Sequence, residues 1–350
     1  MKRISRVLIL LIAAALLTCS YPIKPWVVST IAGSGTVGHM DGAGTQAQFR
    51  APYDVAVDSS GNVYVADKNN HRIRKITPEG MVSTIAGSGT EGFQDHNTGT
   101  QAQFDNPYGL AVDSSGNVYV ADSGNHRIRK ITPERVVSTF AGSRRGFGNG
   151  PAGTAQFDNP HGLAVDSAGN VYVADSSNHR IRKITITQTG RDVSTIAGNG
   201  RAGSQNDTGT AAQFSFPTDV AVDAAGNVYV ADFSNHRIRK ITPEGVVSTF
   251  AGSRKGFGNG AAGTALFNSP VGVATDSSGN VYITDVDNNR IRKYMSVGVV
   301  GTLAGGIKGF SNGVSGSAQF DTPRGVAVDT WGNVYVADSG SHLIRKIAPP

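Results

Sequence analysis

Residues 104–142 read FDNPYGLAVDSSGNVYVADSGNHRIRKITPERVVSTFAG. Four short runs stand out: 109–113 (GLAVD), 117–122 (NVYVAD), 127–132 (RIRKIT) and 136–142 (VVSTFAG). They are rich in β-branched and aromatic residues at alternating positions, which suits a pleated surface buried on one side or both. Between them lie SSG, SGN and PER, polar and short enough to close hairpins. Four antiparallel strands joined by hairpins form one blade of a β-propeller.

The stretch is one of six. A phenylalanine opens each unit at Phe49, Phe104, Phe157, Phe214, Phe267 and Phe320, at intervals of 55, 53, 57, 53 and 53 residues. Self-similarity at such a period indicates a propeller or a related array. The fourth-strand motif, VVST-[IF]-AG or a relative, recurs near Val27, Val82, Val137, Val193, Val246 and Val299. One copy therefore precedes the first full unit, while the sixth unit ends after its third strand, LIRKIA at 343–348. Residues 27–33 (VVSTIAG) are expected to complete the last blade and close the ring, because each blade buries its faces only against its neighbours. The expected fold is all-β: a six-bladed propeller of four-stranded antiparallel blades spanning residues 26–350.

Composition agrees with this. Glycine is abundant, at 45 of 350 residues, and 39% of the chain is hydrophobic, as a turn-rich globular β protein requires. Residues 1–18, MKRISRVLILLIAAALLT, have a basic start and an apolar stretch from Val7 to Leu17, too short to span a bilayer. This is the layout of a signal peptide. Without Lys2, Arg3 and Arg6 the formal charge of +6 falls to +3, too weak a bias to point to nucleic acid. Cys19, the only cysteine, follows the leader, so no internal disulfide is available. Leu16-Leu17-Thr18-Cys19 resembles the lipobox of bacterial lipoproteins, although Thr18 departs from the usual small residue. The alternatives are an unused thiol or removal with a leader cut after Ser20. Residues 19–25 then form a short linker. The expected location is exported, either as a cell-envelope lipoprotein or secreted, with membrane attachment by a lipid only.

The motif GLAVDSSGNVYVADSGNHRIRKI resembles the NHL repeat, and six such units resemble the six-bladed NHL propellers, over essentially all of Trp26 to Pro350. The long connections of the type AGSGTEGF…GTQAQFDNP are similar to those of secreted bacterial NHL proteins. The resemblance implies the fold but not one activity. The family includes RNA binders, ubiquitin-ligase scaffolds, extracellular sensor domains and a zinc-dependent amidating lyase.

Symmetric residues are expected to be architectural. Histidines recur at His71, His126, His179, His236 and His342, with Asn289 in the fifth blade. A catalytic residue is needed once, so these read as turn residues. One arginine slot is filled in all six blades by Arg74, Arg129, Arg182, Arg239, Arg292 and Arg345. The second strand of each blade ends in an aspartate: Asp67, Asp122, Asp175, Asp232, Asp285 and Asp338. Antiparallel pairing is expected to bring each aspartate to its arginine as a partly buried ion pair. In the connections Asp41, Asp95, Asn149, Asp207, Asn259 and Asn312 read as turn residues beside glycine.

Function is expected where the blades differ. The loop entering the innermost strand and the loop between strands two and three share the face that carries the channel mouth. Their variable positions supply a candidate ligand site of Tyr53, Asp54, Lys68, Tyr108, His161, Thr218, Asp219, Phe233, Asp287 and Arg324. Aromatic, carboxylate and basic groups around a mouth suit a protein, peptide or carbohydrate ligand. The principal expectation is thus a monomeric binding or scaffold module without a cofactor. The first alternative is a metal-dependent hydrolase or lyase, with Ca or Zn held by Asp54, His161 and Asp219. Gluconolactonase-like and amidating-lyase propellers are the family analogues, and neither site maps here residue by residue. Nucleic-acid binding is the third and least favoured reading.

Overall fold

The computed structural model describes residues 25–350, so the leader and Cys19 lie outside the described residues. Six antiparallel sheets follow one another around a channel. The first blade runs outward through Asp54–Val57, Val63–Asp67, Arg72–Ile76 and Met81–Ala86, and the second through Pro107–Val112, Val118–Asp122, Arg127–Ile131 and Val137–Ala141. Blades three to five repeat this order. In the sixth, Pro323–Val328, Val334–Asp338 and Leu343–Ala348 receive Val27–Ala32 as the outer strand, with Val28 opposite Ile347. The N-terminal strand closes the ring as its sequence motif requires.

Five of the six sheets carry a fifth, two-residue strand. It comes from the connection before the blade, as where Gly42–Ala43 pairs with the outer strand at Val82 and Met81. In the second blade a single bridge, His96 to Val137, takes its place. The long connections thus satisfy part of an outer edge that four strands alone would leave open.

The core lies between blades. One cluster joins Tyr64, Ala66 and Ile73 of the first blade to Phe104, Val120 and Ile131 of the second, and equivalent clusters fill the other seams. The six phenylalanines that open the units are all fully buried.

The symmetric charges are buried more completely than the sequence suggests. Each Asp–Arg pair has both side chains at 0% exposure, with N–O distances of 2.7–3.0 Å. In the first blade the Arg74 guanidinium donates to Asp67, to the carbonyls of Met40 and Gln48, and to Asp41. Asp67 also accepts the Arg50 amide at 2.8 Å and the Asn70 side-chain amide at 2.8 Å. One guanidinium therefore ties the third strand, the end of the second and the preceding connection into one unit. The same pattern recurs in every blade, except that Ser341 replaces the asparagine in the sixth.

The connection residues are more than turn formers. Asp41, Asp95, Asn149, Asn259 and Asn312 each accept from the buried arginine of the blade that follows. In the fourth blade the acceptor is Asn206, not Asp207, because Asp207 is one residue further along, in the edge strand Asp207–Thr208. The two aspartates also accept from the arginine Nε, whereas Arg182, Arg239, Arg292 and Arg345, which face asparagines, leave Nε without a partner.

The repeated histidines close the seams. Each sits in the left-handed region, with φ between 52° and 58°, and its Nδ1 accepts a backbone amide from the next blade at 3.0–3.3 Å. The donors run from Asn106 on His71 to Ala51 on His342, the latter across the closure. In blade five Asn289 Oδ1 accepts from Thr322 at 3.1 Å, so an amide oxygen replaces the ring nitrogen. The acceptor role requires neutral imidazole. Burial holds His126, His179 and His236 below the usual histidine range, and Arg180 adds to this for His179. A depressed folded-state value means that the contribution is complete above the unfolded value of about 6.5 and is lost as pH falls below it. His179→Asn copies the fifth blade. Its melting temperature is expected to fall less than that of the wild type between pH 7.5 and pH 5, as followed by circular dichroism. Parallel curves for the two proteins would refute the latch.

Candidate functional site at the channel mouth

Six residues, one per blade, follow the proline that enters each innermost strand: Tyr53, Tyr108, His161, Thr218, Val271 and Arg324. Their side chains form a collar across the channel. Tyr53 and Tyr108 have ring centroids 4.2 Å apart, and Tyr108 stacks on His161 at 4.3 Å and 19°. Arg324 lies over the Tyr53 ring at 4.9 Å and donates to its hydroxyl at 3.4 Å. The Lys68 ammonium stands 4.5 Å from the Tyr108 centroid and 5.7 Å from that of Tyr53. Such cation–aromatic contacts contribute about 0.5–2 kcal/mol each, more as they lose water. On the opposite side Thr218 donates to the Val271 carbonyl at 2.9 Å, and Val271 and Val286 are buried with Phe233 packed against them. The collar therefore has a cationic, aromatic half from blades six, one, two and three, and an apolar half from blades four and five.

Both ring nitrogens of His161 are buried without a hydrogen-bond partner. Burial, reinforced by Lys68 and Arg324, pushes this imidazole down to about 3, so it is neutral at physiological pH. A buried donor and acceptor left unpaired cost about 1–3 kcal/mol each. The ring architecture does not require that cost, because Thr218 and Val271 occupy the same slot without it.

Asp54 and Asp219 lie one residue deeper, beneath the collar. Asp54 accepts the amides of Val55 and Leu110, and Asp219 those of Val220 and Val273, all at 2.8 Å. Each carboxyl thus joins its own innermost strand to that of the next blade. The equivalent positions in the other four blades are glycines. A Cβ at Gly162 or Gly325 would come within about 2 Å of a carboxyl oxygen of Asp219 or Asp54, so the neighbouring blade must be glycine there. The space between collar and carboxyls is about 10 Å³, room for roughly one water. Burial raises Asp54 to about 7 against the pull of the Leu110 and Val55 amides, and raises Asp219 well above the carboxylate range, with the Asp54 charge adding to it.

The expected site is thus brought together in part. Lys68, Tyr108, His161, Phe233 and Arg324 are half-buried at the mouth, while Tyr53 and Thr218 are buried as the collar's inner wall. Asp54 and Asp219 are closed off below. Asp287 is exposed, away from the collar, and accepts the Ser269 hydroxyl at 2.7 Å. Asp54, His161 and Asp219, the candidates for a metal, are not gathered into one cluster. Among the described residues no group of three or more histidine, cysteine or acidic side chains is placed to hold an ion. Val286 is the collar residue that sequence reasoning missed. It occupies the column of Lys68 and Phe233, and comparing that column across all six blades reveals it.

Each blade also matches a known repeat. Residues 49–76, 104–131, 157–184, 214–241, 267–294 and 320–347 match the NHL repeat. The chain is an NHL-repeat β-propeller. Its relatives include the chloroplastic protein Suppressor of Quenching 1 of Arabidopsis thaliana, 31% identical over 280 residues, covering 75% of this chain and 26% of that protein. Human Teneurin-4 is 28% identical over 384 aligned positions, covering 93% of this chain and 13% of its own. The NHL propeller therefore spans only a minor part of each of these two relatives. Among solved structures, a Bacteroides thetaiotaomicron protein of unknown function superposes with a TM-score of 0.70 at 24% identity, covering 92% of this chain and 76% of that one. At this identity the likeness speaks for the fold alone.

The buried carboxyls generate a pH test. A folded-state value raised from 3.8 to about 7 means that Asp54 contributes most at low pH, and that the contribution is lost as pH rises through about 7. Asp54→Asn cannot ionise. The melting temperature of the variant minus that of the wild type is therefore expected to increase between pH 5.5 and pH 8.5. A constant difference would show that the carboxyl carries its charge throughout.

Proposed function

We propose that this NHL propeller is an exported binding module of the cell envelope, monomeric and anchored by a lipid on Cys19, that recognises a protein, peptide or carbohydrate at its channel mouth. The apolar run 7–17 ahead of Cys19 supports export. The observation that carries the binding role is the collar, where two cations and two tyrosine rings, one of them stacked on it, accompany an imidazole with both nitrogens unpaired. A ligand placing a polar atom against His161 and a flat or anionic group near Lys68 and Arg324 would remove that deficit. Hydrolysis or a lyase reaction has less support, since both carboxyls near the axis already accept two amides each.

The test is a screen of the purified propeller on peptide and glycan arrays, followed by titration of the strongest hit against Lys68→Ala/Arg324→Ala and His161→Ala. Each variant is expected to lose about tenfold or more in affinity, about 1.4 kcal/mol. Melting temperatures should stay within a few degrees of the wild type, because these side chains are not part of the strand network. Hits unaffected by both variants would place recognition elsewhere on the propeller.

A further inference from the structure

On the opposite face of the ring the sixth blade departs from the repeat. The turn between the first two strands of each blade carries Ser60, Ser115, Ala168, Ala225 or Ser278 at one position, but Trp331 in the sixth blade. Trp331 is 63% exposed. Its ring reaches across the closing seam to the first blade, where Cζ3 lies 3.9 Å from the place a Cβ on Gly61 would occupy and Pro78 Cγ lies at 3.6 Å. Trp331 and Pro78 wall a groove of about 330 Å³, within the range of small-ligand sites. At the first-to-second and third-to-fourth seams, whose grooves measure about 260 and 450 Å³, the position of Trp331 is held by Ser60 and Ala168, so neither groove has an indole wall.

The groove is not an apolar patch. Asp329 already accepts from the Asn333 side chain and the Tyr335 hydroxyl, so these groups serve the fold. Ser60, Glu79 and Lys346 remain at the rim and offer a hydroxyl, an acceptor and a donor. One exposed indole face beside a mixed rim of donors and acceptors matches a sugar ring, whose C–H face lies flat on the indole while its hydroxyls take the polar groups. A bilayer demands a contiguous apolar surface instead. A peptide strand demands a free strand edge, whereas turn residues 77–80 line this groove.

We infer that the seam between the sixth and first blades is a saccharide-binding site with Trp331 as its stacking platform, separate from the channel mouth. The chain has two tryptophans, Trp26 and Trp331, so in a Trp26→Phe background intrinsic fluorescence reports on Trp331 alone. Chitohexaose, cellohexaose, maltohexaose and hexagalacturonate are titrated separately. At least one is expected to quench or blue-shift the emission saturably. By calorimetry on the full chain, Trp331→Ala should weaken that saccharide about tenfold or more, Trp331→Tyr should retain part of the affinity, and His161→Ala should change nothing. The exposed position keeps the melts of the Trp331 variants unchanged. If none of the four saccharides alters the emission, or if Trp331→Ala binds equally well, the inference fails. It fails equally if Trp331 mediates only binding to anionic phospholipid vesicles or self-association in sedimentation velocity.

Discussion

A fully buried guanidinium in each blade sets the terms for the rest of the structure. Taking an arginine and an aspartate out of water costs several kcal/mol per ion, and the pair recovers this only if its remaining hydrogen-bonding positions are filled. Here most of them are filled, by backbone carbonyls of the preceding connection, by an asparagine side chain in five of the six blades and by a backbone amide that enters the innermost strand, while Nε has a partner only in the first two blades. The long connection is thereby fixed to the blade it leads into. The left-handed residue just before each third strand, a histidine in five blades and Asn289 in the fifth, then reaches the next blade, so every seam has one polar latch besides its apolar cluster. Because the sixth latch runs from His342 to Ala51, the closing seam carries the same kind of latch as the others.

This division of labour explains why the most charged stretch of the repeat is a poor guide to function. NHRIRK occurs intact in four of six blades, yet its partners are carboxylates, carbonyls and amides of the same fold. The groups that the ring does not use lie where single blades depart from the pattern: the collar at one end of the channel and Trp331 at the other face. The collar combines groups that the ring does not need in that slot, and neither ring nitrogen of His161 bonds to another protein group.

The fold was legible because it is written six times. Alternation gave the strands, the displaced VVSTIAG gave the closure, and antiparallel pairing brought Asp122 opposite Arg127 and within diagonal reach of Arg129. Completeness of burial was not legible, since it depends on the connection folding back over the guanidinium. Asp207 reads as the counterpart of Asp41 by residue type, but counting back from the unit's phenylalanine points to Asn206, which lies as far before Phe214 as Asp41 lies before Phe49. For the candidate site, sequence gives the level of each residue along the channel but not its depth. Sequence shows that Tyr53, Tyr108 and His161 share a level, but whether they meet across the axis depends on the channel radius. Asp54 and Asp219 therefore read as mouth residues, and their role as clasps beneath the collar emerged only from the amides they accept.

The central claim, that the repeated charges hold the ring and do not bind a ligand, is tested most directly by Arg129→Ala. The substitution leaves Asp122 buried without its cation, and breaking such a pair typically costs about 3–5 kcal/mol. Equilibrium urea unfolding of the variant and the wild type, with affinity for the screened ligand measured on the folded fraction, separates the two roles. The account predicts a loss of stability of that size with affinity unchanged. A variant that unfolds with the wild type yet no longer binds would contradict it and make the repeated arginines the functional surface.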